Sequence, residues 1–371
     1  MKKILDFYIT KKFILILATV MICFVTVFIL VDLIENVQKF ITRNLSSKDI
    51  LKYYFYTLPS ILSVALPISM LISTIFTFGD LQKSNEITAF KSSGISIFRL
   101  SFPLLTIGLI SCLILFLFDN LIVAEYLQKR YDIDKKLKPY KKKFSKNSKS
   151  DIYYKLNNSF LEIKKFNYKN NTGYLVSIKN NVNNDINYRL DSKKMIWRED
   201  ISKWNLIDSN MRTWNNGSYK FSEIPDTLIS IFSLSDTKKD SVFLTPEFIK
   251  KDIVKPQEMN YWELDSFIIK LKTLNDKGIH KWEVNKHYKT AFSFIPFIMI
   301  LFGIALSIQK NKGSYARGMG LSLIVIFLYM VIIRFGQTLG YNQILNPFLS
   351  VWFVNFLFLA IGILLISRVK T

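Results

Sequence analysis

Charged side chains placed beside or inside apolar segments are the residues of this 371-residue chain best suited to do chemistry. Arg334 is the clearest case, because it lies within an apolar stretch long enough to cross a bilayer. An arginine there costs roughly 2.5 to 3.5 kcal/mol unless it pairs or extends to the membrane surface. Asp32 and Glu35 end the first apolar stretch at a similar depth, so acidic groups lie near the same level.

The chain lacks the sequence patterns of the common enzyme sites. No G-x-x-x-x-G-K-[ST], G-x-S-x-G or H-E-x-x-H pattern is present. Cys23 and Cys112 both fall inside apolar stretches, and His280 and His287 have no third metal ligand nearby. We therefore predict a protein that is not an enzyme and uses no cofactor or metal. Any energy from ATP must then come from another subunit.

Six apolar stretches, in two sets of three, must position these side chains. Each has about the 20 residues needed to cross a bilayer core. They cover residues 13–34, 56–78, 100–122, 291–308, 319–341 and 347–366. Residues 123–290 contain no such stretch and are numerous enough for a folded domain. The chain is therefore predicted to be a membrane protein with one large domain inserted between its third and fourth transmembrane helices.

Lysine and arginine in the short connecting segments predict the orientation, because they concentrate on the cytoplasmic side of a membrane. If the six spans alternate, one side receives Lys2, Lys3, Lys11, Lys12, Lys83, Lys91, Arg99, Lys310, Lys312, Arg317, Arg368 and Lys370. The other side has one short basic segment, residues 39–52, and one short segment with no basic residue, 342–346. Both termini are thus predicted to be cytoplasmic and the insert to lie in the opposite compartment.

The overall charge narrows the choice of partner. Half of the residues are apolar and the formal net charge is +22. A basic chain can bind nucleic acid, but here the positive charge is spread over segments on both sides of a membrane, and no nucleic-acid module is recognisable. Anionic lipid is the more natural partner.

The insert begins with a lysine-rich stretch, 135–149, and continues in short runs with period two. Runs rich in Ile, Tyr, Phe and Trp cover residues 151–156, 159–166, 174–178, 188–197, 204–207 and 228–232, with Asn, Gly, Asp and Ser between them. This spacing predicts an all-β sandwich or jelly roll. From residue 258 the apolar residues recur at helical spacing. The predicted fold is an α+β membrane protein with domains 1–134, 135–257, 258–290 and 291–371.

Residues 80–94, between the second and third spans, read as a short cytoplasmic helix. Ile87 and Phe90 offer apolar side chains, Glu86 offers a charge, and Gly94 can terminate the helix. Taken alone, this pattern is equally typical of a surface helix without a special role.

The run from Ser84 to Gly94 nevertheless resembles the cytoplasmic coupling helix of the LptF/LptG permease family, with the form S-x-E-(I/L)-x-x-(F/M)-(K/x)-x-x-G. Leu5-Asp6-x-Tyr8-Ile9 before the first span and NPFLSVWFVN at residues 346–355 also resemble the family. The plan of three spans, a large β insert and three spans is the family's plan. The resemblance covers nearly the whole chain, and the order of its motifs makes it specific.

This resemblance implies a lipopolysaccharide permease in the bacterial inner membrane. Such permeases work as a pair, LptF with LptG, on a dimeric cytoplasmic ATPase resembling LptB. Their periplasmic jelly rolls pass the lipid toward a periplasmic β-jelly-roll bridge resembling LptC and LptA. The Leu5-Asp6-x-Tyr8 pattern and residues 32–39 look more like LptG than LptF.

The resemblance also suggests roles for individual residues. Glu86 matches the coupling-helix glutamate that sits in a groove of the ATPase, which Ile87 and Phe90 would help to fill. Lipid phosphates are expected to meet basic residues at the periplasmic end of the first helix, where Lys39 matches one position and Asp32 replaces another.

The phosphate contacts are therefore expected to shift to Lys39 and Arg43, or to the partner permease. Because the family's lateral gate is formed by the first and fifth helices, we hypothesise that Arg334 meets Asp32 or Glu35 across this gate or across the paired subunit.

Two alternatives fit part of the pattern. Another ABC-linked envelope permease, for a lipoprotein or a signalling lipid, would share the plan of spans and periplasmic insert only in part. A membrane-anchored β-domain assembly protein without transport would need no coupling helix. A co-purifying ATPase would support either transporter, and bound lipopolysaccharide would select the first.

Overall fold

The computed structural model of the protein describes residues 2–137, 148–156, 159–182, 185–201, 203–215, 218–224, 227–229, 245–251, 255–273, 278–307 and 315–367. Residues 138–147 of the predicted lysine-rich stretch, the basic residues Lys310, Lys312, Arg368 and Lys370, and residues 230–232 of the last predicted strand lie outside these ranges. The chain divides into two compact units. One comprises Met1–Leu137, Gln257–Tyr261 and His280–Thr371, and the other Lys138–Pro256 and Trp262–Ile279.

The helices are numbered along the chain. They are α1 (Lys2–Thr42), α2 (Ser47–Lys83), α3 (Glu86–Ser92), α4 (Ile97–Phe118), α5 (Ala124–Leu137), α6 (Pro246–Lys251), α7 (Tyr261–Thr273), α8 (Ile279–Ser293), α9 (Ile295–Ser307), α10 (Tyr315–Tyr341) and α11 (Pro347–Ser367). A π-helical turn, Asp119–Val123, joins α4 to α5, and a 3-10 turn, Pro256–Glu258, precedes α7.

The six predicted spans correspond to helices of the first unit. Among the described residues, five helices are long and apolar enough to cross a membrane, and the bent pair of α8 and α9 makes a sixth if it counts as one span. The pair bends by 43°. Pro296, the second residue of α9, explains the break, because proline has no backbone N–H to continue the hydrogen bonding of α8.

The bundle has two ends, which we name by the chain segments they carry. The terminal end carries the start of α1 and the last described residues of α11, together with α3. The insert end carries the last turn of α1 and the points where the chain leaves for, and returns from, the β strands. α2 and α9 pack closely between these ends, since a Cβ atom on Gly303 would lie 2.6 Å from Cβ of Thr74. Such small residues let helices in membranes approach each other.

A polar side chain ties three helices together inside this bundle. Asn355 on α11 accepts a hydrogen bond from the buried Tyr329 hydroxyl on α10, at 2.5 Å, and donates one to the carbonyl of Ala291 on α8, at 2.8 Å. In a bilayer, bonds of this kind satisfy groups that have no water to bind. Asn355 therefore fixes the arrangement of the last spans.

The described strands of the second unit form one antiparallel sheet. They are β1 (Ser148–Leu156), β2 (Ser159–Asn167), β3 (Thr172–Val182), β4 (Asp185–Arg198), β5 (Lys203–Asn215), β6 (Ser218–Ile224) and β7 (Thr227–Ile229). Strands β1 to β6 are neighbours in chain order, and β7 pairs with the first part of β5. The predicted α+β class is confirmed, and the structure refines the jelly roll to a meander in which β6 is a strand that the sequence pattern missed.

A crease crosses this sheet. Val176 pairs with Ile163 on β2 and with Ser192 on β4, and the same registers place Leu175 opposite Lys164 and Lys193. In the register between β4 and β5, Lys193 in turn lies opposite Asp208. These positions form no ladder pairs, and Leu175 and Asp208 have positive φ angles of 52° and 53°. The ladder from β2 to β5 is therefore interrupted at one level, where β3 and β5 bend.

The buried face of the sheet continues around this crease. Along β2 the buried side chains are Leu161 and Ile163 on one side of the crease and Phe166 on the other, with exposed Lys164 and Lys165 between them. The extra exposed residue at the bend switches the alternation, so that both halves of the strand point apolar side chains to the inside. The sheet is consequently apolar on one continuous inner side.

Helices α6 and α7 cover part of the apolar residues of this unit. The Phe248 ring on α6 lies 6.0 Å from the Tyr154 ring on β1 and 5.3 Å from the Phe267 ring on α7, between ring centres. Leu264 and Leu271, spaced seven residues apart on α7, are fully buried. The helical pattern predicted from residue 258 is thus confirmed over Tyr261–Thr273.

Replacing Leu175 tests the strain at the crease. A left-handed backbone costs roughly 1 kcal/mol or more for residues other than glycine. We expect Leu175→Gly to be more stable than Leu175→Ala by about 1 kcal/mol, because both remove the exposed side chain and only glycine removes the strain. Thermal unfolding of the full-length protein in detergent compares the two variants, and a more stable alanine variant would contradict the proposed strain.

Candidate functional site

The short helix α3 has a defined start and stop at the terminal end of the bundle. Asn85 precedes it with a φ angle of 57°, and Gly94 follows it with a φ angle of 77°. The N–H of Ile95 donates to the carbonyl of Phe90 at 2.9 Å, and the N–H of Gly94 donates to the carbonyl of Lys91 at 2.9 Å. This is a Schellman ending. The prediction that Gly94 terminates the helix is confirmed.

Glu86 lies at the junction of α1 and α3. Its Oε1 atom accepts a hydrogen bond from the Ser84 hydroxyl at 2.7 Å and another from the Tyr8 hydroxyl at 3.3 Å. Tyr8 belongs to the Leu5-Asp6-x-Tyr8 pattern before the first span, 78 residues earlier in the chain. The half-buried Glu86 carboxylate is therefore held by α1 as well as by its own turn.

The apolar side of α3 faces the bundle. Ile87 is 6% exposed and belongs to a cluster that includes Ile9, Phe13, Phe78, Leu81 and Leu100, and Phe90 packs against the same cluster. This burial corrects the expectation that Ile87 fills a groove of the ATPase. A helix of seven residues has one apolar side. Here that side packs against the bundle, so Thr88, Ala89 and Ser92 are exposed.

Two further ion pairs join α1 to its neighbours at this end. The Arg99 guanidinium donates from both terminal nitrogens to the two carboxylate oxygens of Asp6, each at 2.7 Å. Lys12 lies 3.8 Å from Asp80 at the end of α2. In the sequence, Asp6 stands out only as part of the Leu5-Asp6-x-Tyr8 pattern. Because Asp6 and Arg99 lie 93 positions apart in the sequence, no local pattern predicts the pair.

The predicted substrate residues of α1 lie at the insert end. Glu35, Lys39 and Arg43 are exposed, and the Lys39 ammonium group donates to the amide oxygen of Asn36 at 2.7 Å. Glu35 and Arg43 form no ion pair with another described residue. Lys39 and Arg43 are therefore accessible at the surface of the described chain, and their predicted contact with lipid phosphates stays a prediction.

Asp32 is different, because it faces the bundle. Its Oδ2 atom is buried and has no hydrogen-bond partner among the described residues. Tyr54 on α2 interacts electrostatically with both Asp32 and Arg130. Arg130 on α5 in turn donates to the Tyr53 hydroxyl at 2.9 Å. Asp32 thus lies beside Tyr54 of α2, which in turn lies near Arg130 of α5.

Arg334 occupies the exposed side of α10. It donates to the amide oxygen of Gln337 at 3.0 Å, and its guanidinium carbon lies 5.5 Å from the centre of the Tyr288 ring. Within the chain it forms no ion pair with Asp32 or Glu35. The proposed pairing with one of these residues therefore concerns a second permease subunit and stays a prediction.

A buried ion pair at the insert end was not anticipated. The Lys289 ammonium group lies 3.5 Å from Asp119, and their side chains are 6% and 18% exposed. The Ser63 hydroxyl donates to the same carboxylate at 3.2 Å. Asp119 opens the π-helical turn after α4, and Lys289 lies on α8. Helices carrying the outgoing and returning chain are thereby joined through charges shielded from water.

Asn120 strengthens this junction. Its side chain donates to the carbonyl of Phe116 at 2.8 Å and accepts the N–H of Tyr261 at 2.9 Å. π-helical turns are frequent at functional sites, and this one turns two polar residues toward different elements. In the sequence, Asp119 and Lys289 each stand near the end of an apolar stretch, where a single charge is typical of a membrane surface.

Metal binding has no support in the described part of the chain. No group of three or more His, Cys, Asp or Glu side chains there could hold a metal ion. Cys23 is exposed and Cys112 is buried, and both are free.

Comparison with known proteins identifies the family of the chain. A family model described as "Lipopolysaccharide export system permease LptF/LptG" matches residues 7–368, which include both sets of spans and the insert. A search of curated proteins found no match.

Breaking the buried ion pair tests its contribution to stability. Removal of one partner of a buried pair typically costs about 3–5 kcal/mol, because the other charge stays buried without compensation. We expect Lys289→Met to lower the thermal unfolding midpoint of the purified full-length protein clearly. Asp119→Asn should do so less, because Asp119 is the more exposed partner.

The double variant Asp119→Leu with Lys289→Met is the control. It removes both charges, so it should be more stable than Lys289→Met alone. Equal midpoints for the double variant and Lys289→Met would contradict a direct interaction between the two side chains.

Proposed function

The chain belongs to the LptF/LptG family of lipopolysaccharide export permeases, and from this premise we propose that it extracts lipopolysaccharide from the inner membrane and passes it through its periplasmic β domain toward the outer membrane. A separate dimeric ATPase supplies the energy. The observation that carries the proposal is the family match, which covers both sets of three spans and the insert. The short helix α3 supports it, because it lies where such a permease would contact its ATPase.

The free energy of exposing acyl chains to water determines which path the lipid can take. Exposing one methylene to water costs about 0.8 kcal/mol. Several acyl chains of about a dozen carbons would then cost on the order of 50 kcal/mol, more than an ATP cycle supplies. The lipid must therefore move between apolar surfaces. The open side of α1 and the inner face of the creased sheet are surfaces of that kind.

The second permease subunit completes the proposed entry site. Lys39 and Arg43 are exposed at the insert end of α1 and carry the charges that lipid phosphates require. Arg334 is exposed on α10, where an acidic residue of the paired permease can reach it. We assign these three residues, together with Asp32 and Glu35, to the gate through which the lipid enters.

Coupling to the ATPase is assigned to Glu86 and the outer side of α3. Phe90 and Ile87 anchor the helix in the bundle, so that a force on its outer side moves α1 and α2 as well. Gly94 ends α3 and lets the chain turn into α4. The Leu5-Asp6-x-Tyr8 pattern favours LptG as the subunit type, with LptF as the partner. The terminal end, with α3, is assigned to the cytoplasm and the strands to the periplasm.

Glu86→Ala tests the coupling role. In a reconstituted complex with the paired permease and the ATPase, we expect lipid release per ATP hydrolysed to fall about tenfold, because the charged contact with the ATPase is lost. Ser367→Ala, at the same end of the bundle, is the control, since among the described residues its hydroxyl bonds to the carbonyl of Leu364 in its own helix. Normal lipid release by the Glu86 variant would remove the assignment.

The orientation is tested with single cysteines. In a background without Cys23 and Cys112, Lys193→Cys places a thiol on the exposed crease, and Ser93→Cys places one at the exposed end of α3. In cells with a permeabilised outer membrane, an impermeant maleimide is expected to label position 193 and not position 93. Labelling of position 93 alone would place the sheet in the cytoplasm and overturn the proposed function.

A further inference from the structure

Three polar residues of α1 bond to three different elements at the terminal end of the bundle. Asp6 pairs with Arg99 of α4 at 2.7 Å, Tyr8 donates to Glu86 of α3 at 3.3 Å, and Lys12 lies 3.8 Å from Asp80 of α2. Successive residues of an α-helix are about 100° apart around its axis. Asp6 and Tyr8 therefore point to nearly opposite sides, so that α1 is held between α4 and α3.

An apolar contact lies between these polar ones. Ile9 and Phe13 occupy one face of α1, four residues apart, and both are fully buried. They belong to the same cluster as Ile87 of α3. A displacement of α3 thus carries the first turns of α1 with it, because the two helices share both a hydrogen bond and a packed core.

The rest of α1 is able to transmit such a displacement. The helix is continuous from Lys2 to Thr42 and contains neither proline nor glycine, which are the usual causes of a kink. No residue of its most apolar 18-residue segment is buried. From Tyr8 to Asp32 the helix extends about 36 Å. It connects the terminal end with the insert end, and the side chains between these ends are exposed or half-buried.

We propose that Tyr8 is a positioning residue for Glu86, and that α1, linked in this way to α3, carries the movement of α3 to the insert end of the bundle. The proposal rests on the coupling function assigned to Glu86. It adds a direct mechanical route along α1 from the ATPase contact to Asp32, Lys39 and Arg43.

A double-mutant cycle in the reconstituted complex tests the route. Tyr8→Phe removes only the hydroxyl group and keeps the ring. We expect it to lower lipid release per ATP hydrolysed by roughly fivefold, the effect of losing one hydrogen bond of ordinary strength, because this bond is long and exposed. In the Glu86→Ala background, Tyr8→Phe should cause no further loss, because the hydroxyl acts only through the carboxylate. Equal losses in both backgrounds, or no loss with Glu86 present, would overturn the proposal.

A second measurement needs neither lipid nor ATPase. Thermal unfolding of the four full-length proteins in detergent reports the contact itself. Tyr8→Phe should lower the midpoint by about 1–2 °C with Glu86 present and leave it unchanged with Glu86→Ala. Additive effects would show that the contact does not exist and would overturn the proposal. A different outcome is a non-additive stability cycle together with a wild-type complex that hydrolyses ATP without releasing lipid. That result would contradict the proposed function and would support the contact between Tyr8 and Glu86.

Discussion

The attachment of α1 at its two ends, with an open side between them, is the constraint on which the other features of the bundle depend. At the terminal end the attachment is the Asp6–Arg99 pair together with buried Ile9 and Phe13. At the insert end it is Phe40, which packs against Tyr53 with ring centres 5.5 Å apart. Between these points the helix presents apolar side chains outward. Because water is absent from the bilayer core, this surface must meet lipid or another protein.

The same absence of water explains where the charges lie. A charge in the apolar core is tolerated only with a partner or close to a surface. Asp119 and Lys289 satisfy this requirement with each other, and Ser63 adds a hydrogen bond. Arg334 uses the amide of Gln337 and the ring of Tyr288, which are weaker partners. The Asp119–Lys289 pair therefore stabilises the bundle, whereas the Arg334 guanidinium can still bind another anion.

The sequence predicted the elements better than the contacts between them. Hydropathy located the spans, and Gly94 identified the end of α3, because only local chemistry is needed for either. The Asp6–Arg99 and Asp119–Lys289 pairs depend on which helices are neighbours, and no local pattern contains that information. Ile87 was misassigned for a related reason, since an apolar residue on a short helix fits a groove in another protein as well as the core of its own. The crease was missed because leucine seldom adopts a left-handed backbone, so Leu175 gave no signal, and a single aspartate, Asp208, is too common in strands and loops to locate a bend.

Because α1 is long, a small tilt at its terminal end produces a large displacement at its insert end. A tilt of about 5° around Tyr8 displaces Asp32 by about 3 Å, given the rise per residue of a helix. A displacement of this size is enough to make or break an ion pair, which requires atoms within 4 Å. Asp32 also has a buried carboxylate oxygen, and the Tyr54 hydroxyl of α2 lies close to this carboxylate. A small shift of α1 would alter this contact and free the carboxylate for a basic group of a neighbouring subunit. The insert end is therefore the place where a modest force applied at α3 can change which charges are paired.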